Sequence, residues 1–254
     1  SYSRRIERPD GRELDPNPQY MDPYNIRVGN PELEPEYINS MELNYQKRIK
    51  TSFVSAEGYY RINTNKITNI KILQEDGTFV HTFQNLNKDY SLGTELMGNT
   101  DITKWFNVNA SINIFDYRLV GNVEGEDVDK QSTNWNGKLN ITMKFKYDIR
   151  VQMSGIFQGK SVTAQGTQEG FPMLNLALRK EFFEKRLSAT LSVRDLLMTA
   201  KRESTSTGTD FYSYDNFKRE APILTLDLSY TINNYKKQRN GRTEEGNQEM
   251  DMEF

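Results

Sequence analysis

The sequence predicts an all-β chain folded as an antiparallel up-and-down transmembrane β-barrel, with about ten strands present. Three observations carry that prediction. Apolar and polar side chains alternate with a two-residue period in segment after segment. Connections between those segments alternate between short and long. Across the later segments, the central positions of the apolar face hold no Lys, Arg, Asp or Glu.

The clearest alternation runs from Trp135 to Tyr147. Trp135, Leu139, Ile141, Met143, Phe145 and Tyr147 share one face with Gly137, while Asn136, Lys138, Asn140, Thr142, Lys144 and Lys146 share the other. A strand sends successive side chains to opposite faces, so this segment has one apolar and one fully polar face. Repeated in long strands, the pattern describes a wall between lipid and water.

Taken in order, Tyr2 to Arg8 is a short first strand, in which Tyr2, Arg4 and Ile6 share a face. Residues 9–36 hold six of the eight prolines and read as loop, because proline cannot donate to a ladder. Tyr37 to Ile49 and Phe53 to Asn63 alternate cleanly. Residues 64–88 read as a second long loop, with a small hairpin around Gln74-Glu75-Asp76-Gly77. Asp89 to Asn99, Trp105 to Tyr117, Trp135 to Tyr147 and Ile149 to Gln158 follow as strands. Phe171 to Phe182, Leu187 to Asp195 and Pro222 to Asn233 complete the set. The remaining long connections are 119–131, 159–170 and 196–218. Short ones fall near Lys50-Thr51, Asp101 to Lys104, Tyr147-Asp148 and Glu184 to Arg186. Outer-membrane barrels sort their connections this way, with short turns periplasmic and long loops extracellular. Tyr45, Trp105, Phe106, Phe145, Tyr147, Phe182, Phe183 and Tyr230 gather near the short-turn rim, as in an aromatic girdle.

Composition bounds the function. Only 35% of the 254 residues are hydrophobic. Taken alone that favours a soluble antiparallel sandwich or barrel, although barrel strands average lipid-facing and lumen-facing residues and defeat hydropathy. No apolar run reaches the length of a membrane helix. With no cysteine, disulfides and thiolate metal sites are excluded, and the net charge of −2 gives no nucleic-acid signal. No signal peptide is visible, and Ser1 opens on strand-like sequence, as in a mature piece or an excised fragment. His81 is the only histidine, so histidine triads and multi-histidine metal sites are excluded; it is expected in a loop, solvated or packed. Glu124, Glu126, Asp127 and Asp129, with Gly121 and Gly125, match no EF-hand spacing and read as a solvated loop. Glu57, Arg61, Glu95, Lys138, Lys144, Arg150, Arg179, Arg194 and Asp227 are expected to point into the lumen as an ion-pair network facing water or a plug. No phosphate loop, nucleophile elbow or dinucleotide fingerprint appears, so no catalytic, cofactor or metal residues are assigned.

The run Tyr2-Ser3-Arg4-Arg5-Ile6-Glu7-Arg8-Pro9 leads into Leu14-Asp15-Pro16, Asp22-Pro23-Tyr24, Gly29-Asn30-Pro31-Glu32-Leu33-Glu34-Pro35-Glu36 and Glu42-Leu43-Asn44-Tyr45. Val193-Arg194-Asp195-Leu196-Leu197 and Leu226-Asp227-Leu228-Ser229-Tyr230-Thr231-Ile232 follow in order. This series resembles the C-terminal barrel region of TonB-dependent outer-membrane receptors, in particular the Bacteroidetes-type outer-membrane β-barrel family. The resemblance implies a barrel of about twenty-two strands around an N-terminal plug, of which this chain supplies about ten. It implies as partners the outer-membrane lipid, an N-terminal barrel half and plug, the TonB energy complex and a surface lipoprotein. It implies uptake of a ligand captured by the outer loops, with no covalent chemistry. A non-transporting scaffold or adhesion barrel is the alternative. Residues 1–234 are read as the barrel segment and 235–254 as a polar, disordered, periplasmic tail.

Overall fold

The computed structural model describes residues 1–232 apart from Glu124, with the backbone alone at Asn87; the expected tail, 235–254, lies outside the described residues. Among the described residues sixteen strands and one four-residue helix form. In chain order they are β1 (Tyr2–Glu7), α1 (Gly11–Leu14), β2 (Gln19–Asp22), β3 (Asn25–Arg27), β4 (Glu36–Ile49) and β5 (Ser52–Leu73). Then come β6 (Phe79–Thr103), β7 (Phe106–Val123), β8 (Glu126–Phe145), β9 (Ile149–Gln158), β10 (Ser161–Val162) and β11 (Gly166–Gln168). The last are β12 (Phe171–Phe182), β13 (Leu187–Arg194), β14 (Lys201–Thr207), β15 (Tyr212–Lys218) and β16 (Ile223–Tyr230).

One large antiparallel sheet forms the wall, in the order β1-β4-β5-β6-β7-β8-β9-β12-β13-β16. A smaller sheet, β10-β11-β14-β15, stands apart from it. Among the described residues the wall is open, because β1 pairs only with β4 and β16 only with β13. Ten strands lie along this path, the other six belong to the connections, and no barrel closes among the described residues.

Register confirms the alternation across strands. Ala110 lies opposite Leu139, Leu139 opposite Gly155 and Gly155 opposite Leu174, so the apolar face continues from β7 to β12. Among the described residues nothing covers this face: Leu43 is 80% exposed, and Leu224 and Leu228 are each 67% exposed. A soluble sandwich would bury these residues against a second sheet, and contiguous apolar exposure of this extent needs a nonaqueous partner. Ten residues separate Trp135 from Phe145 on β8. At about 3.4 Å per residue and a tilt of about 45°, that is ~24 Å, the height of a barrel's apolar band.

The short turns are tight. Lys50, Tyr147, Asp148, Phe183, Glu184 and Lys185 all have positive φ. Aromatic rings mark this rim, with Trp105 5.6 Å from Phe106 and 6.0 Å from Phe145. On the opposite face one glycine is obligatory. The Tyr59 ring lies over Gly93, where a Cβ would meet Tyr59 Cζ at 2.6 Å and Phe115 Cβ at 2.5 Å.

The long connections differ most from expectation. Residues 64–88 are mainly strand: β5 and β6 stay paired from Lys66–Leu86 to Leu73–Phe79, and the expected hairpin turns at 74–78. Residues 119–131 likewise pair up to Val123–Glu126. Loop 9–36 carries α1, β2 and β3, and β3 runs parallel to β6, the one departure from antiparallel pairing. Loops 159–170 and 196–218 carry the strands of the second sheet. Thus the sizeable buried apolar cluster among the described residues, Ile70, Leu86, Leu119, Val123, Val128 and Ala164, lies in these protruding segments and not in the wall. Each fully buried leucine there contributes about 1.5–3 kcal/mol.

The face assignment makes a direct prediction. Leu226 is 62% exposed on the apolar face, and Thr225 faces the other way. Leu226→Arg should cost about 2–4 kcal/mol near a bilayer midplane, whereas Thr225→Arg should be tolerated. Folding into lipid vesicles followed by urea titration measures both; equal losses would contradict the assignment.

Candidate functional site

The polar face of the wall holds the residues singled out from sequence. Register places Glu57 beside Glu95, Glu95 beside Asn113, Lys138 beside Ser111, Lys144 beside Arg150, Arg150 beside Arg179, and Thr190 beside both Arg179 and Asp227. Arg194 is at the far end of β13, opposite Ile223. All nine therefore share the face opposite the exposed leucines.

Few of them form the expected network. Arg61 is the centre of the one cluster that does. Its guanidinium lies 3.4 Å from both Glu57 and Glu42, donates to Ser40 Oγ at 3.3 Å, and sits 4.2 Å from the Tyr59 ring centroid. Glu42 and Tyr59 were not among the sequence candidates; their parity on β4 and β5 was the available signal. Arg179 pairs with Glu181 at 3.0 Å. Lys144, Arg150 and Arg179 form a row of like charges near the short-turn rim, which repel where directly opposed. Exposed pairs of this kind contribute about 0–1 kcal/mol, so the polar face is a charged surface more than a stabilising device.

The protruding strands are held by interactions that satisfy their free edges. Beyond Thr64, β5 has no neighbour on its β4 side. There the Glu36 carboxylate accepts from Ile67 N at 2.7 Å, from Lys66 Nζ at 3.3 Å and from Asn63 Nδ2. Further out, the Gln165 side chain accepts from Lys71 N at 2.7 Å and donates to Lys71 O at 2.8 Å, taking the place of a strand. On the β6 edge, Phe79 N donates to Tyr24 O at 2.8 Å, Val28 N to His81 O at 3.0 Å, and Asn30 Nδ2 to Phe83 O at 3.0 Å. These contacts protect edges that would otherwise pair with other chains.

The second sheet docks on this hairpin. Lys71 Nζ reaches Asp215 at 2.9 Å and Ser213 at 3.0 Å, and Phe79 packs edge-on against Phe211 at 5.3 Å. His81 is in β6, correcting its expected loop position, because the alternating strand continues through it. Its Nε2 lies 3.0 Å from Asn25 Oδ1. Burial, reinforced by the Lys71 charge, holds the imidazole below its ordinary range. In the acidic segment Asp129 pairs with Arg118 at 2.6 Å and Asp127 accepts from Asn122 at 3.0 Å, while Glu124 lies outside the described residues. No metal-ligating cluster occurs among the described residues.

Under the β14–β15 hairpin, against the polar face of β9, β12 and β13, lies a cavity of about 490 Å³. Phe171, Met173 and Ile156 line it, at positions where the alternation calls for polar side chains. That departure from the pattern is the signal by which the sequence could have revealed it.

Residues 1–230 match the pattern of a family described as an outer membrane protein beta-barrel family. Among solved structures, the FrpB iron transporter from Neisseria meningitidis (F3-3 variant) is similar at 12% identity and a TM-score of 0.49, over 78% of this chain. The match covers 32% of that transporter, so the chain spans about a third of its length. No curated protein sequence matches the chain.

Two outcomes follow from the edge contacts. Gln165→Leu leaves the Lys71 amide and carbonyl without partners, at a cost of about 1–3 kcal/mol. Trypsin should then cleave faster within 201–218; unchanged cleavage would show that Gln165 does not hold the second sheet. For His81, the folded hairpin favours the neutral ring. Its contribution is complete above the ordinary imidazole pKa of about 6.5 and is lost as pH falls from there through the lowered value. Exchange of the Val28 amide, corrected for its intrinsic rate, should rise on acidification in the wild type and stay flat in His81→Gln. Parallel profiles would contradict the linkage.

Proposed function

The chain belongs to the outer membrane protein β-barrel family and is a protein of the bacterial outer membrane, and on that premise we propose that it is the C-terminal part of the barrel of a TonB-dependent receptor. Residues 1–234 supply wall, lumen surface and outer loops; the free edges of β1 and β16 meet the rest of a barrel of about twenty-two strands. The polar face, with Arg61 and the Lys144–Arg150–Arg179 row, lines the lumen and meets a plug domain. The long hairpins are extracellular; the short turns and the 235–254 tail are periplasmic. A ligand captured by the outer segments enters when the TonB complex rearranges the plug, with a surface lipoprotein as a further partner, and this chain performs no covalent chemistry.

The sorting of connections supports this reading most strongly. Every protruding hairpin and the whole second sheet lie at one end of the wall strands, while the connections at the other end, 50–51, 104–105, 146–148 and 183–186, are short. A scaffold needs a surface but no shaped cavity over a polar lumen face.

Because the chain contains no cysteine, single cysteines report orientation cleanly. In intact cells a membrane-impermeant maleimide should label Glu75→Cys and spare Lys185→Cys. Uptake is tested by the low-mass compounds depleted from spent medium, comparing cells with and without the protein in TonB-positive and TonB-negative backgrounds. At least one compound should be consumed only when both are present. Identical spent media would favour the scaffold alternative.

A further inference from the structure

We propose that the cavity beneath the β14–β15 hairpin binds a small soluble anion, a carboxylate or phosphate carried on an aromatic or otherwise apolar body. The inference rests on the uptake reading above and supplies its ligand class.

Charge argues for the anion. Arg194, Arg202 and Arg219 line the cavity, and among the described residues none of the three forms an ion pair. The lining also holds Lys201, Asp195 and Glu220. Lys201 is engaged by Glu203 at 3.0 Å. Asp195 is 5% exposed and turned into its own loop, where its carboxylate accepts from Thr199 N at 3.1 Å and Ala200 N at 3.0 Å. Three guanidinium groups therefore face one uncommitted carboxylate, that of Glu220. Guanidinium presents paired N–H donors that match the two oxygens of a carboxylate or phosphate, which makes such a surplus selective as well as attractive.

Shape and lining argue for the apolar body. The volume of about 490 Å³ falls within the usual range for small-molecule sites, which is roughly 300–1,000 Å³. Phe171, Met173 and Phe217 contribute its apolar lining. Phe217 is the cross-strand neighbour of Arg202, so one aromatic ring and one cation enter the cavity from adjacent strands. Phe171, Met173 and Ile156 sit together on a predominantly polar face, where burial in a membrane gives no reason for them.

Position argues for a soluble ligand. The cavity opens on the polar face, with the sheet between it and the exposed leucines. A lipid phosphate on the leucine side cannot reach it. The roof is fixed independently of the cavity, by Lys71–Asp215 and Phe79–Phe211 at one side and by Thr199 Oγ1 donating to Pro172 O at 2.6 Å at the other. It is therefore formed before any ligand arrives.

The test uses the full-length protein purified in a neutral maltoside detergent, with 1-naphthyl phosphate as probe and 1-naphthalenemethanol as its uncharged counterpart. Calorimetry should show saturable one-to-one binding of the phosphate and affinity for the alcohol weaker by about tenfold or more. Arg202→Gln combined with Arg219→Gln should weaken phosphate binding about tenfold, while Arg118→Gln, remote from the cavity, should leave it unchanged. Heat-modifiable migration on gels verifies that each variant is folded. Equal affinity for the two probes, no binding of the phosphate, or full affinity in the folded double variant would overturn the proposal. Displacement by phosphatidylglycerol added to the micelles would overturn its assignment to a soluble ligand. Probe binding without TonB-dependent consumption would leave the cavity assigned and sink the transport reading; consumption without probe binding would do the reverse.

Discussion

Backbone amides and carbonyls that cross lipid must find their partners within the protein, because the hydrocarbon offers none. The rest of this molecule is arranged around that requirement. Inside the wall it is met by strand pairing that runs unbroken from β4 to β13. Such pairing leaves side chains free to specialise by face. Leucine, isoleucine and aromatic residues go to one side, and asparagine, serine, threonine and charge go to the other. The same sheet therefore needs no core between layers, and its largest apolar residues remain exposed.

Outside the wall the requirement takes a different form. The β5–β6 hairpin climbs past its neighbours and exposes two edges. Glu36 and Gln165 supply side-chain donors and acceptors to one, and the 24–34 segment supplies backbone to the other. Each contact joins residues distant in sequence, and together they lock the first, second and fourth long connections into one assembly. A single buried cluster around Leu86 and Leu119 supports it. Rigidity at this rim positions the second sheet over the polar face and creates the cavity there. Among the described residues the three arginines of that cavity form no ion pair and outnumber its one free carboxylate, Glu220, which is the basis of the proposed preference for an anion.

The wall was legible in the sequence because its code is local: parity alone separates Leu139, Ile141 and Met143 from Lys138, Asn140 and Thr142. The protruding hairpin was not, for a specific reason. Pairing skips Asn65, whose φ of 59° interrupts the alternation, and beyond it the apolar packing is carried by Ile70 and the partly buried Ile72, of opposite parity to Tyr59. Beyond that break parity no longer marks a strand, and His81, paired with Lys71, lies in this part of the hairpin. The Lys71–Gln165 contact spans ninety-four positions and leaves no local trace. The open edges of β1 and β16 likewise concern pairing that parity does not encode. The cavity lay between these cases, since Phe171 and Met173 broke the polar face visibly but gave no indication of what would cover them.

The central claim is that the two faces of each wall strand meet different media. Nitroxide scanning of residues 137–144 in lipid bilayers addresses it most directly, with one label at a time and collision rates measured for oxygen and for a water-soluble nickel chelate. Labels at Leu139, Ile141 and Met143 should collide mainly with oxygen. Labels at Lys138, Asn140 and Thr142 should collide mainly with the chelate, giving two profiles of period two in opposite phase. Profiles in phase, or a uniform preference along the strand, would contradict the account.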